Sequence, residues 1–137
     1  MDPSIKQQKI RVVAAVIRRN ARYLLCQRPT HKRHGGLWEF PGGKLEPGET
    51  IVDATRRELA EELAVEVSRV GDIQFSIEDP GSDFVIEFRP VDIAGDPQCL
   101  EHSNVEWVSR DELLNRALAP SDLQFARYVV SQAAHDE

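Results

Sequence analysis

Cysteine is scarce: Cys26 and Cys99 are the only two in 137 residues, and they lie far apart. That excludes a disulfide framework and a Cys-x-x-Cys metal site. It predicts two reduced thiols in a cytoplasmic protein. Long apolar runs are missing too. The longest, Val12 to Ile17, is six residues, far short of the roughly 20 that span a bilayer. The start, Met1-Asp2-Pro3-Ser4-Ile5-Lys6, has no apolar segment of the secretory kind. Positive charge is in the minority, with 17 Lys+Arg against 23 Asp+Glu and a net charge of −6. Such a chain carries no general electrostatic footprint for nucleic acid or for an anionic membrane. A small polyanion stays open as a partner, because a divalent cation bridges two sets of negative charges.

What is present is an ordinary globular balance, 41% hydrophobic and 29% charged. The length suits one domain. Residues 1–8 are polar and read as a flexible N-terminus, leaving 9–137 as a single domain. Lys9 to Ile17 reads as a buried strand, Asn20-Ala21 as a turn, and Arg22 to Arg28 as the returning strand. The basic, Gly-containing segment from Pro29 to Gly36 reads as a loop. Leu37 to Phe40 is a short strand, closed by a turn at Pro41-Gly42-Gly43. Thr50 to Leu63 is the clearest helix, with Thr50 as N-cap and Val52, Leu59 and Leu63 on one side. Strands follow at Asp72–Ile77 and Phe84–Ile93, around the turn Asp79-Pro80-Gly81-Ser82. A short strand at Val105–Val108, a short helix at Arg110–Ala117 capped by Ser109, and a last helix capped by Ser121 and running to Ala134 complete the chain. The βα alternation is irregular, so the class is α+β or a helix-flanked mixed sheet.

The chemistry concentrates between Gly42 and Val65. Glu58, Glu61 and Glu62 stand at i, i+3 and i+4 and share a helix face. Like charges so placed oppose helix formation by a few tenths of a kcal/mol each. Alone, such a run is usually a solvated face. A bound divalent cation turns the repulsion into ligation, and carboxylate oxygens suit Mg²⁺ or Mn²⁺ beside substrate phosphates. The Gly-rich turn upstream brings backbone groups close to a ligand.

Gly43, five residues, Glu49, seven residues, then Arg57-Glu58-Leu59-x-Glu61-Glu62-x-Ala64-Val65 resembles the Nudix box. One position departs: Ala64 stands where the family usually has Gly, so the helix end is expected to differ. The resemblance implies an α/β/α sandwich built on a mixed β-sheet, and Mg²⁺- or Mn²⁺-dependent hydrolysis of a nucleoside diphosphate linked to another group. It implies a metal sphere of the Gly43 carbonyl with Glu58, Glu61 and Glu62. Glu58 is then a candidate base, and Arg57 with Glu49 orients the catalytic helix through an ion pair.

Arg28, the run Gly36 to Lys44, and Leu118-Ala119-Pro120-Ser121-Asp122 look like the MutT-type branch, which removes pyrophosphate from nucleoside triphosphates. That ending is especially similar to the CTP pyrophosphohydrolases. By this resemblance Arg28, Phe40, Lys44 and Asp122 face the nucleotide, and Glu101 is an extra carboxylate near the metal. An ionised Asp only accepts hydrogen bonds, which suits the exocyclic amine of cytosine and also the N1–H and N2–H of guanine. Each has a plainer alternative: Asp122 as a helix-start residue, Glu101 as a surface carboxylate, Phe40 and Trp38 as core aromatics. His31, Lys32, Arg33 and His34 either steer phosphates or form a solvated loop. The expected function is removal of 8-oxo-dGTP, CTP or modified dCTP from the nucleotide pool. The alternatives are another nucleoside diphosphate substrate such as ADP-ribose, or a non-catalytic nucleotide-binding module. Monomer and homodimer both remain open.

Overall fold

The computed structural model describes residues 9–135; the expectation of a flexible segment at 1–8 lies outside them. β1 (Ile10–Val16), β2 (Arg18–Arg19), β3 (Arg22–Gln27), β4 (Trp38–Glu39) and β5 (Gly42–Lys44) precede helix α1 (Ile51–Leu63). β6 (Glu66–Val70), β7 (Phe75–Glu78), β8 (Phe84–Ala94) and β9 (Asn104–Ser109) follow, then a 3₁₀ turn (Arg110–Asn115) and helix α2 (Pro120–His135). One sheet runs β5-β1-β8-β6, with β7 also on β8; the second runs β2-β3-β4, with β9 on β3. β1 and β8 are parallel, from Ile10↔Phe84 to Val16↔Pro90, and the other pairings between strands are antiparallel. The sheet is therefore mixed, as the resemblance implied.

The apolar run in β1 is continuous because it feeds two cores. Ala14 and Val16 face a cluster with Leu25, Phe40, Phe88, Leu118 and Phe125. Ala15 and Ile17 face the opposite cluster with Leu24, Cys26, Leu59, Leu63 and Val91. Strands covered on both faces lose the usual polar alternation. α1 closes one side through Leu59 and Leu63, and α2 the other through Phe125 and Val129. In the α2 core Phe125 stacks on Phe88 at 4.4 Å between ring centres and meets Phe40 edge-on at 5.2 Å. Among the described residues no helix is long and apolar enough to cross a membrane.

The structure corrects several boundaries. The turn expected at Pro41-Gly42-Gly43 is the start of β5, paired to β1 as Ala14↔Gly42 and Val13↔Gly43. A Cβ on Gly42 would overlap the Val13 carbonyl, so the pairing requires glycine. β6 is a strand that the sequence reading omitted. β7 begins at Phe75 instead of Asp72. The helix expected at Arg110–Ala117 is a 3₁₀ turn ending at Asn115, and the Ser109 side chain makes no cap bond. α2 starts at Pro120, a residue suited to a first helical turn, and the Ser121 hydroxyl donates to Asp79 Oδ1 at 2.8 Å instead of capping. Ala64 does not alter the helix end: it takes the left-handed conformation, φ 56° and ψ 39°, and its N–H donates to the Ala60 carbonyl.

Candidate active site

Thr50 and Asp53 form a reciprocal capping box, which fixes where α1 begins. One turn later Arg57 ties the helix to the preceding loop. Its guanidinium meets both Glu49 oxygens at 2.8 Å and the Lys44 carbonyl at 3.0 Å. Planar two-point pairing of this kind fixes orientation as well as distance. Glu49 also accepts from the Glu46 N–H at 2.8 Å. The Arg57 guanidinium holds the Glu49 carboxyl down to about 2. A third branch of Arg57 reaches Glu58 Oε1 at 2.8 Å.

Glu58 then lies directly against Gly43: a Cβ there would collide with its carboxylate. Burial pushes the Glu58 carboxyl up, against the pull of Arg57. Glu62, one turn on, is 4% exposed, and its Oε2 is buried with no partner. Burial, then the nearby Glu58, Glu39 and Glu101, push it up to about 9. Glu61 points elsewhere: its side chain is half exposed and 3.7 Å from Arg57. The three glutamates of the shared face thus occupy three different environments.

Two hollows meet here. One, about 430 Å³, is lined by Glu58, Glu62, Glu101, His31 and Lys32. The other, about 340 Å³, is lined by Phe40, Lys44, Asp79, Asp122, Arg33 and His34. Arg28, Glu39 and Gly42 border both. Arg28 Nη1 pairs with Glu39 at 3.0 Å, and its Nε donates to the Arg33 carbonyl at 2.7 Å, which folds the 29–36 loop over the junction. Phe40 is 4% exposed and belongs chiefly to the aromatic core. Its N–H donates to Asp122 Oδ1 at 2.9 Å. Burial pushes the Asp122 carboxyl up to about 8. Lys44 lies 4.7 Å above the Phe84 ring. Trp38 faces away from both hollows, beneath Arg116. Cys26 is buried and Cys99 exposed, both as free thiols.

The residues fit a divalent cation. Glu62 Oε2 is a buried acceptor with nothing to accept, Gly43 leaves room for the Glu58 carboxylate, and hard oxygens are the donors that Mg²⁺ or Mn²⁺ prefers. Among the described residues no group of three acidic, His or Cys side chains is placed to hold a metal ion by itself. Glu39 and His102, absent from the candidates above, border the Glu62 carboxylate: His102 Nε2 is 3.0 Å from Glu39 and 3.6 Å from Glu62. A glutamate between two aromatics on a short strand was the available signal for Glu39; His102, in a loop, offered none.

The NUDIX domain model matches residues 8–129, and the chain belongs to that family. It is 42% identical over 117 residues to the CTP pyrophosphohydrolase of Escherichia coli K12, covering 83% of this chain and 86% of that one. It is 42% identical over 64 residues to the 8-oxo-dGTP diphosphatase of Proteus vulgaris, covering 46% of this chain and 57% of that one. The solution structure of the E. coli ORF135 protein superposes with a TM-score of 0.80 at 37% identity, covering 97% of each chain.

Proposed function

We propose that this chain hydrolyses nucleoside triphosphates to monophosphate and pyrophosphate, with Mg²⁺ as its cation and Mn²⁺ as a substitute, and so clears the cytoplasmic nucleotide pool of unwanted bases. The observation that carries this reading is the wall shared by the two hollows. Arg28, Glu39 and Gly42 border a carboxylate-lined space on one side and an aromatic-floored one on the other. A triphosphate has the matching polarity, a polyanion at one end and a flat base at the other.

In this reading the Gly43 carbonyl, Glu58 and Glu62 hold the cation, with Glu61 and Glu101 as further carboxylates. When bound, the cation neutralises phosphate charge and activates an attacking water. Glu58 would also serve as base, taking the proton that the attacking water gives up. Arg57 and Glu49 keep α1 tied to the segment after β5 through their two-point pair and the Lys44 carbonyl. Arg28 and Lys44 face the phosphates and sugar, Phe40 forms the floor, and Asp122 reads the base. The likeness to a CTP pyrophosphohydrolase and an 8-oxo-dGTP diphosphatase supports CTP, modified dCTP and 8-oxo-dGTP as the substrates to compare.

The test is steady-state hydrolysis of dNTPs, NTPs, 8-oxo-dGTP, 5-methyl-dCTP and ADP-ribose with Mg²⁺, with the products identified. Monophosphate plus pyrophosphate from a triphosphate is the expected result, and the highest kcat/KM names the base. Turnover of ADP-ribose alone overturns the substrate class. No cation-dependent turnover, together with no effect of Mg²⁺ on melting, overturns the enzyme reading.

A further inference from the structure

The segment from 98 to 103 carries no motif, yet it is stapled to both sides of the site. The Gln98 N–H donates to the Leu63 carbonyl at 2.8 Å and the Leu100 N–H to the Glu62 carbonyl at 3.2 Å. These satisfy two of the carbonyls that the end of α1 leaves open. The Ser103 N–H donates to the Gln27 carbonyl, at the end of β3, at 2.9 Å. Between the staples lies His102, its side chain 7% exposed.

Its Nε2 is 3.0 Å from Glu39 Oε2 and 3.6 Å from Glu62 Oε1. Only an Nε2–H donates to the Glu39 carboxylate, and in the neutral ring that leaves Nδ1 as a bare lone pair. Nδ1 is indeed buried without a partner. Glu39 is thereby held from two sides, by His102 and by Arg28 at 3.0 Å and 3.2 Å. Glu62, beyond hydrogen-bond reach of the ring, keeps Oε2 uncommitted.

We propose that His102 is a positioning residue: its Nε2–H fixes Glu39 against Arg28, and its ring spaces Glu39 from Glu62, so that the carboxylates of the two hollows are held in one arrangement. The inference rests on the function proposed above, because it assigns the ring a role between the nucleotide side and the cation side. A ring in this place keeps two acidic side chains from collapsing or splaying while the cation is absent. Its Nε2–H goes to Glu39, which leaves Glu62 Oε2 uncommitted.

The test compares His102→Ala and His102→Gln with the unmodified protein, by kcat, by KM and by the Mg²⁺ concentration at half-maximal rise in melting temperature. Loss of a hydrogen-bond partner of a ligand itself costs about 10–100-fold in metal affinity or activity; His102 contacts the ligand Glu62 only through its ring, so the lower end, about tenfold, is expected. His102→Ala is expected to lower kcat and raise the Mg²⁺ midpoint by that factor. His102→Gln, with an amide N–H that reaches Glu39, recovers most of both. Unchanged kcat and Mg²⁺ midpoint in a folded His102→Ala protein overturn the proposal, as does a Gln variant no better than Ala. Nitrogen NMR of the unmodified protein gives a second reading independent of variant folding. An Nε2–H tautomer is expected for His102, and an Nδ1–H tautomer overturns the proposal. If the unmodified protein hydrolyses no triphosphate, the functional reading fails, while the tautomer and the Mg²⁺ midpoint still decide the role of the ring.

Discussion

Gly43 shows how one missing methyl group sets the site. A Cβ there would meet the Glu58 carboxylate, the far end of a flexible side chain, and not a backbone atom. The fold has room to yield and the chemistry does not. Gly43→Ala is therefore expected to melt within a degree or two of the parent and to lose about a hundredfold in kcat, the scale of a 1 Å misplacement. A large fall in melting temperature would show instead that the glycine serves the fold. Ala64 is the opposite case. It holds φ 56° where a side chain is strained, at a cost of about 1–2 kcal/mol. Glycine removes that strain but gains freedom in the unfolded chain, worth about 0.5–1 kcal/mol. Ala64→Gly should raise stability by about 1 kcal/mol in urea unfolding, with kcat unchanged, since the Glu58 side chain lies further up the helix.

Hydrogen bonds tie β4 to the segment that leads into α2. The Trp38 N–H donates to the Ala117 carbonyl at 2.7 Å, the Ala119 N–H to the Trp38 carbonyl at 2.8 Å, and the Phe40 N–H to Asp122. Asp122 is buried, and its carboxyl is raised from 3.8 to about 8. An acid with a raised native pKa binds its proton more tightly when folded. Its contribution is full below the unfolded value near 3.8 and is lost as pH rises through about 8. Asp122→Asn keeps the acceptor for Phe40 and removes the titration. Its melting temperature should gain on the parent between pH 5 and pH 9; parallel curves would refute the assignment. The same junction shows what a sequence conveys. α1 was legible because its cap, its period and its carboxylate spacing are all local. β5 was not, because two glycines and a lysine have no strand propensity and pair only through close approach to β1. β6 was not, because Val67 is its one fully buried residue. Glu58, Glu61 and Glu62 were legible as one face, but their burial was not, since it depends on where β5 and the 98–103 loop cross them.

Across the whole molecule, the two cores fix two halves of one site. The α1 core places the carboxylates, the α2 core places Phe40 and Asp122, and the second sheet brings in Arg28, just past the end of β3, and Glu39 on β4. Ligands in adjoining hollows with a common wall are coupled, and the coupling is reciprocal. Glu62 is held at about 9 by burial and by neighbouring negative charge, so at neutral pH it keeps its proton; a cation bound there displaces that proton, and its positive charge favours the incoming polyanion. A non-hydrolysable triphosphate analogue and Mg²⁺ are each expected to raise the melting temperature, as any ligand selective for the native state does. Together they should raise it by more than the sum. Mg²⁺ also pairs with triphosphates in solution, which contributes to the same excess. The protein's share is what Glu62→Gln loses, because that variant leaves the solution pairing intact. Calorimetric titration of the analogue with and without Mg²⁺, in parent and variant, measures it. A coupling of about 1–3 kcal/mol, the usual range between linked sites, should be present in the parent and reduced to the solution value in Glu62→Gln. Equal coupling in the two proteins would mean that the cation travels with the nucleotide and owes nothing to the carboxylate face.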